Sequence, residues 1–256
     1  MTKRQRFILS SFLLSLGFIA IAFIENQYRI LGIGVLGLFT LIIYYWSLRE
    51  GLGLNMTLIT LVLPFFFTVG VGLFWFLLPV GFAVRVPIVI LYGLGIYTLS
   101  LTSNIYTVAA IRTIALLRAA RGVGFVLTLL TFFLIYDAIF SIRESIFITS
   151  PLIAVTSMPL FLQGYWSVGL EKRITKEVVN LSLVASLILG QVALLLHFWP
   201  VTVVVGSLFL TIACYIILGL GQAKIEGRLF KQTVREYLFL GMLVFIGMFF
   251  ATRWGG

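Results

Sequence analysis

The chain has 256 residues, of which 61% are hydrophobic and only 10% charged, against about 25% charged in an ordinary soluble domain. With a mean hydropathy of +1.17 and a single cysteine, a soluble enzyme, a disordered chain, a collagen and a disulfide scaffold are all excluded. The net charge of +10 does not point to nucleic acid, because the cations flank apolar runs instead of forming a basic stripe interleaved with aromatic residues.

A helix crossing the hydrocarbon core needs about 20 apolar residues and excludes charge from its centre, so charges mark the span boundaries. The first run follows Lys3, Arg4 and Arg6 and covers 7–24. Ala20 and Ala22 resemble a signal-peptide cleavage site, but the run continues through Phe23 and Ile24 and reads as a retained first helix. Further spans are expected at 30–47, 56–78, 86–108, 122–142, 146–168, 178–198, 201–222 and 237–252. Residues 178–222 exceed one ordinary span and are too apolar for a loop, so Trp199 and Pro200 are read as a tight hairpin. The expectation is an all-α polytopic bundle of about nine spans, forming a single integral membrane domain over 1–256.

Orientation follows from the cations. With the N-terminus in the cytoplasm, Lys3, Arg4, Arg6, Arg49, Arg112, Arg118, Arg121, Lys172, Arg173, Lys176, Lys224, Arg228, Lys231 and Arg235 lie inside, 14 of the 18 Lys and Arg residues. Arg29, Arg85, Arg143 and Arg253 lie outside, and so does the C-terminus. The segment AKIEGRLFKQTVREY carries cations at helical intervals among apolar residues. It reads either as a helix lying along the inner headgroups or as a solvated connecting helix. An odd span count leaves one helix outside any pair of equal repeats.

Several motifs are decoys. Gly32, Gly34 and Gly37 match a dinucleotide-binding glycine pattern, but inside a span they let neighbouring helices approach. The same holds for Gly70, Gly72, Gly93, Gly95, Gly219 and Gly221. The glycosylation sequons at Asn55 and Asn180 fall at the inner face and within a span. No lysine sits in a span interior to carry a retinal. His197 is the only histidine, Cys214 the only cysteine and Asp137 the only aspartate, so no metal site and no cofactor is expected. Cys214 reads as a small apolar packing residue.

The polar residues inside the spans are more informative. Thr57, Thr60, Pro64, Thr68 and Trp75 lie within about 60° of one another on the third span, and Pro64 deprives the Thr60 carbonyl of its helical donor. On the sixth span Thr149, Thr156, Gln163 and Ser167 share a face, while Pro151 and Pro159 free the carbonyls of Phe147 and Val155. The seventh carries Ser182, Ser186, Ala193 and His197 on one side and Asn180 and Gln191 on the other, the pattern of a central helix. Such groups need partners in lipid, so they bond other helices or line a pathway. Thr60, Thr68, Thr156, Gln163, Ser186 and Gln191 are the candidate pathway residues.

The outer rim gathers Glu25, Arg29, Arg85, Asp137, Arg143, Glu144 and His197. Asp137 lies about 7.5 Å inside its span, a costly position that calls for a cation such as Arg85 or Arg29, a hydrated pocket or a proton. The candidate outer cluster is Asp137, Arg85, Arg29, Arg143, Glu144 and His197. Two functional classes follow. One is a non-enzymatic protein that binds or moves a small or lipid-like substrate within the bundle. The other is a membrane-embedded enzyme acting on a lipid-linked substrate at the outer face, with Asp137 or Glu144 as base and an arginine holding phosphate. A structural subunit of a membrane complex is the third reading. Membrane lipids are the expected partners, nucleic acid is not, and the cation bias with compact loops points to a bacterial or archaeal plasma membrane.

Overall fold

The computed structural model describes residues 2–48, 54–77, 82–110, 115–171 and 173–252, without the side chains of 26, 54–57 and 82–85. Arg49, Arg112, Lys172 and Arg253, and the side chains of Thr57 and Arg85, therefore lie outside the described residues. The described residues form nine α-helices and no strand. They are α1 (Lys3–Ala22), α2 (Arg29–Leu48), α3 (Leu54–Leu77), α4 (Phe82–Ala109), α5 (Leu117–Ile142), α6 (Ile146–Gly169), α7 (Lys176–His197), α8 (Val203–Ile225) and α9 (Lys231–Ala251). A 3₁₀ turn at Asn26–Tyr28 joins α1 to α2.

All nine are long and apolar enough to cross a membrane. Their outer surface agrees, with Ile30, Leu31, Ile42, Val155, Phe239 and Phe250 each more than 60% exposed. In water so much contiguous apolar surface would aggregate; in a bilayer it meets lipid. The chain is a multi-pass integral membrane protein.

Several helices start earlier than the apolar runs. The N-terminus of α1 is closed by a capping box in which Thr2 Oγ1 accepts from the Gln5 amide and Gln5 accepts from the Thr2 amide. Thr175 and Thr202 cap α7 and α8 through the amides of Val178 and Val205. At α1 and α7 a polar first turn thus continues the helix past the apolar run, whereas α8 begins two residues inside the expected 201–222. The AKIEGRLFKQTVREY segment forms no separate helix. Its first residues finish α8, Glu226–Phe230 turn with Gly227 at φ +68, and Lys231 already belongs to α9, where Gln232 donates to Glu236 one turn on. The expected hairpin at Trp199 and Pro200 separates α7 from α8.

By backbone contacts the chain falls into two compact units: Met1–Ile135 with Leu170–Arg173, and Tyr136–Gly169 with Ile174–Gly256. In the first, α1 packs on α2 and α4, and α3 packs on α2 and α4. In the second, α6, α7 and α8 pack on one another and α9 packs on α8.

The first unit is built around Phe18, Phe67, Trp75 and Tyr92. Phe18 meets the edge of Trp75 at 5.0 Å and stacks on Tyr92 at 4.8 Å. Glycines allow the close approaches. A Cβ at Gly95 would strike the Phe67 ring and one at Gly72 would strike Ile33, while Ser11 Oγ donates to the Gly93 carbonyl at 2.5 Å. In the second unit Gly221 gives room to Tyr165, whose hydroxyl donates to the Ile217 carbonyl, and Ser150 donates to the Gly190 carbonyl at 2.7 Å. Of the glycines read as packing positions, Gly34 alone has open space beside it.

Candidate functional site

Of the pathway residues of the third span, Thr68 is spent on internal bonding. Thr68 Oγ1 donates to the Pro64 carbonyl at 2.9 Å and lies 3.1 Å from both Thr40 Oγ1 and the Tyr92 hydroxyl. Nearby, Tyr44 donates to the Ile96 carbonyl at 2.6 Å. Thr60 is also buried. A fully satisfied buried network of this kind fixes a unique packing and leaves no hydroxyl for a solute.

In the second unit, Thr156 Oγ1 donates to the Leu152 carbonyl of its own helix and Ser186 Oγ to that of Leu183, the usual way a hydroxyl is satisfied in hydrocarbon. Gln163 is buried, and its Oε1 has no hydrogen-bond donor among the described residues. Asn180 and Gln191 are exposed, on the stripe formed by Leu183, Val184, Leu187, Ile188, Leu194 and Leu195. The second polar side of α7 therefore faces outward, and α7 is not enclosed as its two-sided pattern suggested. Two amides among six apolar residues leave that face apolar enough for lipid.

Another buried group sits deeper. The Tyr136 hydroxyl lies 2.7 Å from Ser157 Oγ and 3.1 Å from Cys214 Sγ, and Ser157 donates to the Ile153 carbonyl. Cys214 is fully buried, so the packing role read from the sequence comes with a polar contact.

The rim residues behave differently. Where α5 and α7 end and α6 and α8 begin, a cavity of about 400 Å³ is lined by Phe140, Arg143, Glu144, Thr149, Leu196, His197, Trp199, Val201, Thr202, Val203 and Gly206. Three of the six residues of the expected outer cluster, Arg143, Glu144 and His197, line it together. All three are exposed, and among the described residues their side chains make no ion pair or hydrogen bond, with one another or with any other group. The remaining wall is apolar apart from Thr149 and Thr202. Thr149 Oγ1 is already engaged with the Glu144 carbonyl, and the Thr202 hydroxyl caps α8.

The backbone at Arg143 is unusual. It follows the last residue of α5 with φ +55, its amide donating to the Phe140 carbonyl. This is the left-handed closing position where glycine is the common residue, and a residue with a Cβ costs about 1–2 kcal/mol there. The conformation turns the chain out of α5 and sets Arg143 and Glu144 on the cavity wall before α6 starts.

Asp137 lies beneath this wall, one helical turn before Phe140 and thus about 4.5 Å deeper along α5. It is 4% exposed and accepts from Ser207 Oγ at 3.4 Å; Ser207 adjoins the wall residue Gly206 and also donates to the Val203 carbonyl. Among the described residues no cation pairs with it. Arg29, in the first unit, donates from Nε to the Ile24 carbonyl at 2.9 Å and stacks over Phe76.

Trp199, Thr202 and Gly206 were not singled out from the sequence as site residues. Trp199 also donates from Nε1 to Thr252 Oγ1 at 2.9 Å, which holds the end of α9 against the α7–α8 turn. The available signal was a pair of adjacent opposite charges, Arg143 and Glu144, filling the short α5–α6 connection where a glycine or asparagine turn would be expected. Among the described residues no three His, Cys, Asp or Glu side chains gather as a metal site.

No curated protein and no solved structure matches the chain. A family model does match, over residues 34–251 and so from α2 to the end of α9; its description is "Protein of unknown function (DUF5656)", and the chain belongs to that family.

Proposed function

We propose that this protein binds, and moves or presents, a lipid-like amphiphile whose polar head enters the cavity at the α5–α8 end of the second unit. The observation that carries this reading is the combination of three unpaired ionisable side chains, Arg143, Glu144 and His197, with the apolar surface of Phe140, Leu196, Trp199, Val201 and Val203. A mixed polar and apolar concavity is the usual form of a small-molecule site. Trp199, at the α7–α8 turn of the same end, is an amphipathic aromatic residue of the kind that favours the headgroup level. The cation bias supports an orientation with this end outside and the N-terminus in the cytoplasm, and with the compact loops it favours a bacterial or archaeal plasma membrane.

Purification in a mild detergent followed by native mass spectrometry tests the reading. A lipid should remain on the wild-type protein and be lost from Trp199→Ala and from the double variant Arg143→Gln, Glu144→Gln. Retention of the same lipid by both variants would contradict it. Orientation is checked separately: a cysteine at Gln27 should react with an impermeant thiol reagent in intact cells, and one at Lys3 only after permeabilisation.

A second reading, an enzyme acting on a lipid-linked substrate, is favoured by one feature. Glu144 and His197 stand on the same cavity as an arginine, giving a base, an acid and an anion holder in one place. Turnover of a lipid-linked phosphate by the purified protein, lost in Glu144→Gln, would select it over simple binding.

A further inference from the structure

The charge arrangement in the cavity restricts what kind of head it accepts. Arg143 and Glu144 are consecutive, line the same concavity and do not pair with each other. A purely anionic head drawn to Arg143 would lie beside the Glu144 carboxylate, and a purely cationic one drawn to Glu144 would lie beside the guanidinium; each would lose to like charge part of what it gains. A head carrying a phosphate and an ammonium joined by a short link satisfies both.

Resting on the reading of the cavity as an amphiphile site, we infer that its ligand is zwitterionic, a phosphodiester bearing a free amine, with the phosphate on Arg143 and the ammonium on Glu144. His197 lines the same cavity. The apolar wall of Phe140, Leu196, Trp199, Val201 and Val203 holds the carbon skeleton next to the head.

Binding of short-chain phosphatidylethanolamine and phosphatidylglycerol to the purified full-length protein, followed by fluorescence with a Trp199→Phe control, tests this. Phosphoethanolamine and inorganic phosphate serve as soluble competitors. Phosphatidylethanolamine should bind at least about tenfold tighter than phosphatidylglycerol, a difference of one charged contact. Glu144→Gln should erase that preference while phosphatidylglycerol still binds. Arg143→Gly should weaken both lipids with no fall in thermal midpoint, and Arg143→Lys should restore most of the affinity. Displacement by phosphoethanolamine would show that the head alone suffices; failure to displace, with the lipid preference intact, would place the source of the ligand in the bilayer. Equal or tighter binding of phosphatidylglycerol, or a preference that survives Glu144→Gln, would overturn the zwitterion assignment while leaving an amphiphile site. Binding of neither lipid would overturn the underlying reading instead.

Discussion

The two units treat their polar groups in opposite ways. In the first, Thr40, Thr68, Tyr92 and Tyr44 bond one another or backbone carbonyls among close-packed aromatic rings. In the second, the core is similarly closed around Tyr136, Ser157 and Cys214, but one end opens into a cavity whose charged side chains are unspent. Polar residues in a membrane bundle are thus not in themselves signs of a pathway. What separates these groups is whether each already has its partner: Arg143, Glu144 and His197 have none among the described residues and stand together on one concave surface.

This contrast predicts which substitutions damage folding and which damage binding. The largest loss of stability is expected from Gly221→Ala, where the new methyl would collide with the Tyr165 ring between α8 and α6. Overpacking of this kind costs about 1–3 kcal/mol, and a thermal unfolding scan in detergent measures it. Gly206→Ala on the cavity wall is the control. Its nearest neighbours would stand at 3.5 Å or more, ordinary contact distances, so stability should change by no more than about 0.5 kcal/mol. Equal losses at the two glycines would erase the distinction between packed core and open end.

Next in size is Thr68→Val. It removes the hydroxyl shared by the Pro64 carbonyl, Thr40 and Tyr92 and should cost about 1–3 kcal/mol, because buried polar partners are left unsatisfied. Lipid binding at the cavity should remain within error of wild type. A selective loss of binding with stability unchanged would instead return Thr68 to a pathway.

How far the sequence reveals this arrangement depends on the kind of information each feature carries. Span number and helix class follow from hydropathy because charge is excluded from hydrocarbon, and the hairpin at Trp199 follows from a run too long for one span and too apolar for a loop. The packing role of Gly72 and Gly95 was legible because small residues in spans have one dominant use. Helix ends were less legible: Thr2 and Gln5 extend α1 through a capping box, and Gln232 bonds Glu236 in the first turns of α9, neither of which a hydropathy window registers. The rim charges Arg143, Glu144 and His197 could be named, but their meeting on one cavity wall depends on the left-handed backbone at Arg143, and no periodicity encodes that. Asp137 shows the same limit. Its unfavourable position was evident, whereas the choice of Ser207 as its partner depends on how α8 packs against α5.

A smaller effect is expected at Asp137. Its hydrogen bond to Ser207 is long, and no cation pairs with it among the described residues. Asp137→Asn keeps an acceptor for Ser207 and leaves no arginine uncompensated there, so stability should fall by less than about 1 kcal/mol. If lipid binding or transfer nevertheless falls, Asp137 acts on the cavity above it. If denaturation instead shows a loss of about 3–5 kcal/mol, the carboxylate compensates a buried charge and belongs to the closed part of the molecule.

The most direct test of the open end uses the fully buried Cys214 as a silent background. In the purified protein, a cysteine introduced at Gly206 on the cavity wall and one introduced at Thr40 in the closed network of the first unit are exposed to a water-soluble thiol reagent, with and without added phosphatidylethanolamine. Labelling is expected at position 206, where the lipid suppresses it, and none at position 40 in either condition. Labelling at position 206 that is unaffected by lipid, or equal labelling at both positions, would contradict this reading.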